Sequence, residues 1–123
     1  MNKHQFQNPN NKYDSGERTA KFGENIIEFA SSLKKNEVNR ILINQSVRPR
    51  TSIEANYMEA DSAESKKDFK HKISICKKEA KETMHWSRII ARTNSDKAKE
   101  CRKLWQEAHE LALIFSAIIR SKK

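Results

Sequence analysis

The sequence predicts an all-α fold built from four long antiparallel helices. Only 2 Gly and 2 Pro occur among 123 residues, so residues that interrupt helices are scarce. Apolar residues recur three and four positions apart along most of the chain, which is the period of a helix with one buried face. With 36% hydrophobic and 33% charged residues, each helix is expected to bury one stripe in a single modest core.

The N-terminal segment precedes the first helix. Residues 1–13 are rich in Asn and Gln and have no apolar period, so we expect a disordered tail followed by one bundle domain over residues 14–123. Asp14 stands three residues before Glu17, a capping-box spacing that begins a helix. One face of this first helix carries the apolar residues Phe22, Ile26, Phe29 and Leu33.

The second helix has a mixed inward face. Asn36 is placed to cap it, and its predicted stripe begins Val38, Ile41, Leu42, Gln45. Pro49 removes one backbone donor inside the pattern, so the helix either ends or kinks there. We favour a kink, because the same face continues through Ser52, Ile53, Asn56 and Ala60. Small and polar inward residues favour close helix approach or internal hydrogen bonds over a binding site.

The third helix is predicted from about residue 62 to residue 93, and the fourth from a cap at 94–96 to the C-terminus. Connections of only a few residues make neighbouring helices antiparallel. The predicted core face of the fourth helix is Cys101, Leu104, Trp105, Ala108, Leu111, Phe115 and Ile118.

Charges on the third helix are separated by sign. At about 100° per residue, a set of cations falls within about 80° of arc: Lys66, Lys70, Lys77, Lys81, Arg88 and Arg92. We call this set the cationic stripe. The acids cluster on the far side of the helix: Glu64, Asp68, Glu79 and Glu82.

The cationic stripe predicts an anionic partner. Unpaired like charges repel along a line of about 40 Å, and a polyanion with regularly spaced phosphates matches such a line. The net charge of +9 and the pI near 9.7 point the same way, and Arg48 and Arg50 are added to the candidate site. The alternative is a basic surface that serves only solubility.

Apolar residues off the core faces predict a second surface to bury. On the acidic side of the third helix and opposite the core face of the fourth lie Ile75, Trp86, Ile89, Leu113 and Ala117. The first three are not expected to share a core with Phe69 and Ile73. We therefore expect an oligomer interface between copies of this chain, with a different protein partner as the alternative.

No catalytic or metal chemistry is expected. Glu82 and His85 form one E-x-x-H pair, whereas di-iron bundles require two such pairs and two further glutamates. The sequence has no phosphate-binding glycine loop and no nucleophile elbow. We therefore expect a protein that is not an enzyme and that carries neither a metal nor another cofactor.

The two cysteines and the hydropathy pattern bear on location. Cys76 and Cys101 lie inside helical patterns without C-x-x-C spacing, as expected of reduced core thiols in a cytosolic protein. The sequence shows neither a signal-peptide pattern nor an apolar run of about 20 residues. The expected location is the cytoplasm.

Several stretches together resemble one family. They are E-R-T-A-K-F from Glu17, N-R-I-L-I-N-Q from Asn39, T-S-I-E-A-N-Y-M-E-A from Thr51, A-E-S-K-K-D-F from Ala63 and K-E-A-K-E-T from Lys78. The chain resembles the four-helix-bundle proteins encoded in intervening sequences of bacterial 23S rRNA genes. The resemblance runs from about residue 15 to the end of the fourth helix and is densest in the middle.

The resemblance implies a left-handed up-down-up-down bundle assembled as a ring of five. The family is also similar to the accessory variability determinant of diversity-generating retroelements, a basic pentamer that binds nucleic acid and a reverse transcriptase. We therefore expect a non-catalytic homo-oligomer, a pentamer by resemblance, that binds RNA or DNA through its phosphates. The alternative is a structural or adaptor oligomer that binds another protein, such as a reverse transcriptase. Membrane binding is disfavoured, since no exposed apolar face accompanies the stripe.

Overall fold

The protein is an antiparallel up-down-up-down bundle of four helices, as the sequence predicts. The computed structural model describes residues 15–121, without the side chains of residues 46–47 and 49–51. The long helices are α1 (Ser15–Ser32), α2 (Glu37–Asp61), α3 (Lys66–Thr93) and α4 (Ala98–Ser121). A short 3-10 helix, Ser95–Lys97, precedes α4. The predicted disordered tail, residues 1–13, lies outside the described residues.

Each helix of the bundle packs against two neighbours. α3 packs most extensively, against α2 on one side and α4 on the other, and α1 closes the bundle between α2 and α4. α2 continues through position 49, so the alternative that it ends at the proline is wrong.

Side-chain caps fix the beginnings of α2 and α3. The Asn36 side chain accepts a hydrogen bond from the backbone N–H of Asn39 at 2.8 Å, which confirms the predicted cap. Ser65 accepts from the N–H of Asp68 at 3.0 Å, so α3 begins later than the predicted residue 62. Ser62 instead terminates α2, because its N–H bonds the carbonyl of Glu59.

The core consists of two clusters. The main cluster draws on all four helices and contains Phe22, Ile26, Ile53, Tyr57, Ala60, Ile73, Cys76, Ala80, Leu104, Ala108, Leu111, Ala112 and Phe115. The second core cluster lies towards the α1–α2 connection and contains Leu33, Leu42, Ile90 and Cys101. The predicted apolar face of α1 and most of that of α4 are therefore confirmed.

The predicted stripe at the beginning of α2 is wrong for Val38, Ile41 and Gln45, and right for Leu42. Val38 and Ile41 are 53% and 55% exposed, whereas Asn39 is only 1% exposed and Leu42 is buried. The inward face of α2 thus begins at an asparagine, which hydropathy alone assigns to solvent. Asn39 tolerates burial because its amide is fully engaged in hydrogen bonds.

A reciprocal amide pair joins the beginning of α2 to the end of α3. Asn39 donates to Asn94 Oδ1 at 3.0 Å, and Asn94 donates to Asn39 Oδ1 at 2.8 Å. Asn39 also donates to the Lys34 carbonyl at 2.6 Å, and Asn94 to the Ile90 carbonyl at 3.2 Å. The pair therefore ties the α1–α2 connection, α2 and α3 together at one end of the bundle.

Both cysteines are free and buried. Burial raises the pKa of Cys76 to about 12 and that of Cys101 to about 11. Since the thiolate is the reactive form, both thiols are inert at neutral pH.

Removing one member of the asparagine pair is expected to destabilise the bundle. Asn94→Ala leaves the buried amide of Asn39 without its partner, so the free energy of unfolding should fall by about 1–3 kcal/mol. Urea denaturation measures the change. Asn44→Ala, at an exposed position of α2, is the control and should change stability by no more than about 0.5 kcal/mol. Equal midpoints for the two variants would contradict this account.

Candidate nucleic-acid interface

The separation of charge on α3 follows from its two neighbouring helices. The acidic side borders α2, where Glu82 lies 3.4 Å from the Arg48 guanidinium. On the same side, Lys72 of α3 pairs with Glu59 of α2 at 2.7 Å. The cationic stripe lies on the other side and borders α4, where Arg88 lines a groove with Arg102. The cationic stripe and Glu82 therefore face different helices.

The cationic stripe is accessible along the length of α3. Lys66, Lys81, Arg88 and Arg92 are exposed, and Lys70 and Lys77 are half-buried. Within residues 15–121, ion pairs and side-chain hydrogen bonds are absent from these members of the stripe: Lys70, Lys77, Lys81, Arg88 and Arg92. Their positive charge is therefore not neutralised by carboxylates of the described chain.

Of the two arginines predicted on α2, Arg48 does not extend the cationic stripe. Arg48 is on the α2 side of α3 and pairs with Glu82, so the structure does not bring it together with the cations that border α4. The side chain of Arg50 lies outside the described part of the chain.

A groove between α3 and α4 is the part of the interface that sequence analysis missed. It has a volume of about 290 Å³ and is lined by Ser87, Arg88, Ala91, Ala98, Cys101, Arg102 and Trp105. Arg102 is exposed and adds a second guanidinium beside the stripe. We call this feature the α3–α4 groove.

The assignment of Trp105 to the core is wrong. Its side chain is half-buried and lines the α3–α4 groove, because it lies about 100° around α4 from the buried Leu104. The Trp105 ring stacks on His109, with centroids 5.2 Å apart and planes inclined by 22°. The sequence signal was the i, i+4 spacing of two aromatic rings beside Arg102.

The acidic side of α3 is less exposed than predicted. Glu79 is only 9% exposed, and its Oε2 atom is buried without a hydrogen-bond partner. Burial, followed by the nearby charge of Glu82, raises the pKa of the Glu79 carboxyl, while Arg48 and Lys78 act in the opposite direction. The ionised form of Glu79 is therefore less favourable in the folded protein than in the unfolded chain.

Two residues of the predicted oligomer interface contribute to the subunit core. Trp86 and Ile89 are half-buried and pack against the second core cluster. They lie apart from the main cluster that contains Ile73, but they pack against the core of their own subunit towards the α1–α2 connection. Ile75 is half-buried, whereas Leu113 is 56% exposed and Ala117 is exposed on α4. The structure thus places these residues on two different sides of the bundle.

Exposed apolar residues of α2 lie on the same side of the bundle as Ile89 of α3. Ile41 precedes Arg48 by seven residues, or two helical turns, so both lie on the face of α2 that meets α3. The Asn39–Asn94 and Arg48–Glu82 contacts set an antiparallel register that places Ile41 at the level of Ile89. We call the resulting patch the α2–α3 apolar surface: Val38, Ile41 and Ile89.

The described residues form neither a metal cluster nor a membrane-spanning helix. Between residues 15 and 121, no group of three or more His, Cys, Asp or Glu side chains is arranged to hold a metal ion. In the same stretch, no helix combines the length and apolar character that crossing a membrane requires.

The fold and the charged face define a basic four-helix-bundle protein. The family model described as 23S rRNA-intervening sequence protein matches residues 11–117. The chain belongs to this family, which confirms the resemblance seen in the sequence.

A solved structure shares the fold. It is the crystal structure, at 1.70 Å resolution, of a protein with unknown function from the S23 ribosomal protein family of Bacteroides thetaiotaomicron. The two chains are 27% identical, with a TM-score of 0.79, and the match covers 86% of this chain and 95% of that one. No curated protein sequence matches the chain at a significant level.

Neutralising the buried carboxylate is expected to stabilise the protein at neutral pH. Because the pKa of Glu79 is raised in the folded state, stability is lost as pH rises through that folded-state pKa. Glu79→Gln removes the loss and should raise the Tm at pH 7 by roughly a few degrees. The gain should shrink as the pH falls towards 4.5, the ordinary value for this carboxyl.

Thermal unfolding followed by circular dichroism measures both effects. Glu24→Gln makes the same chemical change at an exposed position of α1 and should leave the Tm nearly unchanged. A gain for Glu79→Gln that is independent of pH would show that charge burial is not its cause.

Proposed function

We propose that the protein is a non-catalytic, cytoplasmic, homo-oligomeric protein that binds nucleic acid through the phosphate backbone. The observation that carries the proposal is the row of unpaired cations along the α4 side of α3. Five described members of the cationic stripe have no carboxylate partner, although the opposite side of the same helix forms ion pairs with α2.

The dimensions of the stripe suit a polyanion. α3 has 28 residues, which corresponds to about 42 Å at 1.5 Å per residue. Several phosphates of one strand fit along this length, and each neutralised phosphate releases condensed counterions. A small anion would engage only one or two of the cations, so the length of the row supports an extended ligand.

RNA is the polyanion to test first. The family name refers to 23S rRNA, and the similar solved structure is assigned to the S23 ribosomal protein family. These names concern the relatives, and for this chain they support RNA as a ligand alongside DNA. Backbone contacts alone carry no sequence information, so little sequence preference is expected from the stripe.

Oligomerisation is proposed from the α2–α3 apolar surface. Ile41 is 55% exposed and Val38 is 53% exposed, and the antiparallel register places Ile41 at the level of the half-buried Ile89. A second copy of the chain would remove this patch from water. The proposed number of copies, five, rests on the resemblance to the 23S rRNA intervening-sequence family alone.

The α2–α3 apolar surface also supports a second candidate function, that of an adaptor for another protein, such as a reverse transcriptase. An apolar protein contact should survive high salt, whereas phosphate contacts are screened. Capture of the partner at 1 M NaCl therefore distinguishes the adaptor from the nucleic-acid-binding protein.

Charge reversal within the stripe is expected to abolish nucleic-acid binding. The triple variant Lys70→Glu, Lys77→Glu and Lys81→Glu removes three phosphate contacts and adds repulsion. Fluorescence anisotropy with a labelled RNA duplex measures Kd as a function of salt. For the wild type, log K should fall with log salt by roughly 0.9 per phosphate neutralised.

A matched control separates position from net charge. Lys21, Lys34 and Lys35 are exposed and lie on α1 and the α1–α2 connection, so their reversal changes the net charge equally. The control variant should bind within a few-fold of the wild type. Unchanged affinity in the stripe variant, with helicity retained, would contradict the proposed binding site.

Oligomer formation makes a separate prediction. Light scattering should give a mass well above that of the 14.4 kDa chain, and Ile41→Glu should shift it towards the monomer. Met58→Glu is the control, because Met58 is 71% exposed on another face of α2. A monomeric wild type would contradict the interface.

A further inference from the structure

The α3–α4 groove has a floor and a rim of different chemistry. Ser87 and Cys101 are buried, whereas Arg88 and Arg102 are exposed, so small side chains form the floor and the guanidinium groups form the rim. No Asp or Glu is among the described residues that line it. A ligand with a flat apolar body and a negative charge at its edge matches this arrangement.

The Trp105 ring forms one end of the groove. The groove residues of α4 precede Trp105 in the chain, whereas His109 follows it by one helical turn and stacks on it. The ring therefore stands between the groove and His109. One of its faces is covered by the imidazole, and the same side chain lines the groove.

We propose that the α3–α4 groove holds one unstacked base of a single-stranded nucleic acid. The base stacks on the groove side of Trp105, and its flanking phosphates contact Arg88 and Arg102. This inference rests on the proposed function, since Arg88 belongs to the cationic stripe. It adds a preference for single strands, which the phosphate contacts alone do not provide.

The size and charge of the groove favour a base over other occupants. Its volume of about 290 Å³ is at the lower limit of small-molecule sites, which range over roughly 300–1,000 Å³. Paired bases are stacked inside a duplex and present no free face, whereas unpaired bases stack on aromatic side chains and on guanidinium planes. A purely aliphatic ligand would leave both arginines without an anionic partner.

The inference is tested with three ligands that have the same number of phosphates per strand. They are a 12-nucleotide oligothymidylate, an abasic deoxyribose-phosphate 12-mer and a 12-base-pair duplex. The wild type should bind the oligothymidylate more tightly than the abasic strand by roughly 5- to 150-fold, the range for one base–aromatic stack. Trp105→Ala should reduce this ratio to near one, and Trp105→Phe should retain most of it.

The outcomes distinguish this inference from the function on which it rests. Failure to bind any of the ligands would contradict the proposed function itself. Binding of all three with a ratio near one, unaffected by Trp105→Ala, would preserve phosphate binding and overturn the base site.

A spectroscopic measurement covers the case in which Trp105→Ala does not fold. The chain has 2 tryptophans, so Trp86→Phe leaves Trp105 as the only one. Oligothymidylate should quench its fluorescence, because stacking brings the base onto the ring, and the abasic strand should not. Equal quenching by both strands, or quenching by neither while both bind, would overturn the inference.

Discussion

The packing of α3 between α2 and α4 is the constraint on which the other surfaces depend. α3 buries Ile73, Cys76 and Ala80 in the main core cluster, and interdigitation with two neighbours fixes the rotation of a helix about its axis. Every remaining side chain of α3 then has a defined neighbour. Glu82 meets Arg48 of α2, while Arg88 meets the groove that it shares with α4. The same packing that forms the core therefore sorts the charges.

This sorting separates the two proposed interactions. The α2–α3 apolar surface and the cationic stripe lie on opposite sides of α3, so contact between subunits through the first leaves the second accessible. The Asn39–Asn94 pair lies at the end of the bundle where the apolar surface begins, and it holds α2 and α3 in the register that forms this surface.

The sequence was sufficient for the bundle and for the cationic stripe because both are periodic features of single helices. Phe22 and Ile26 are buried as their spacing predicts, and the stripe follows from counting angles along α3. The predictions of burial are wrong where the surroundings of a residue are set by a second helix. Asn39 is buried because Asn94 supplies hydrogen bonds from 55 residues away, and hydropathy then misplaces Val38 and Ile41 on the inward face.

The α3–α4 groove shows the same limit of prediction from single helices. Trp105 lies at the boundary of the apolar face of α4, and a large apolar residue at a boundary is assigned to the core by its hydrophobicity. Its actual surroundings depend on the gap between α3 and α4. The small side chains of Ala91 and Ala98 line this gap and leave it unfilled. Periodicity within one helix contains no information on such a gap, so Arg102 was not recognised as a neighbour of Arg88.

The order of residue types along the stripe gives the interface a direction. Lys66, Lys70, Lys77 and Lys81 occupy the N-terminal part of α3, and Arg88 and Arg92 the C-terminal part, next to Arg102. Ammonium groups are mobile, hydrated point charges, whereas guanidinium groups form planar forks that bind phosphate in a fixed geometry. The two ends of the row are therefore chemically unequal. A strand laid along it from 5′ to 3′ does not make the same contacts as one laid from 3′ to 5′.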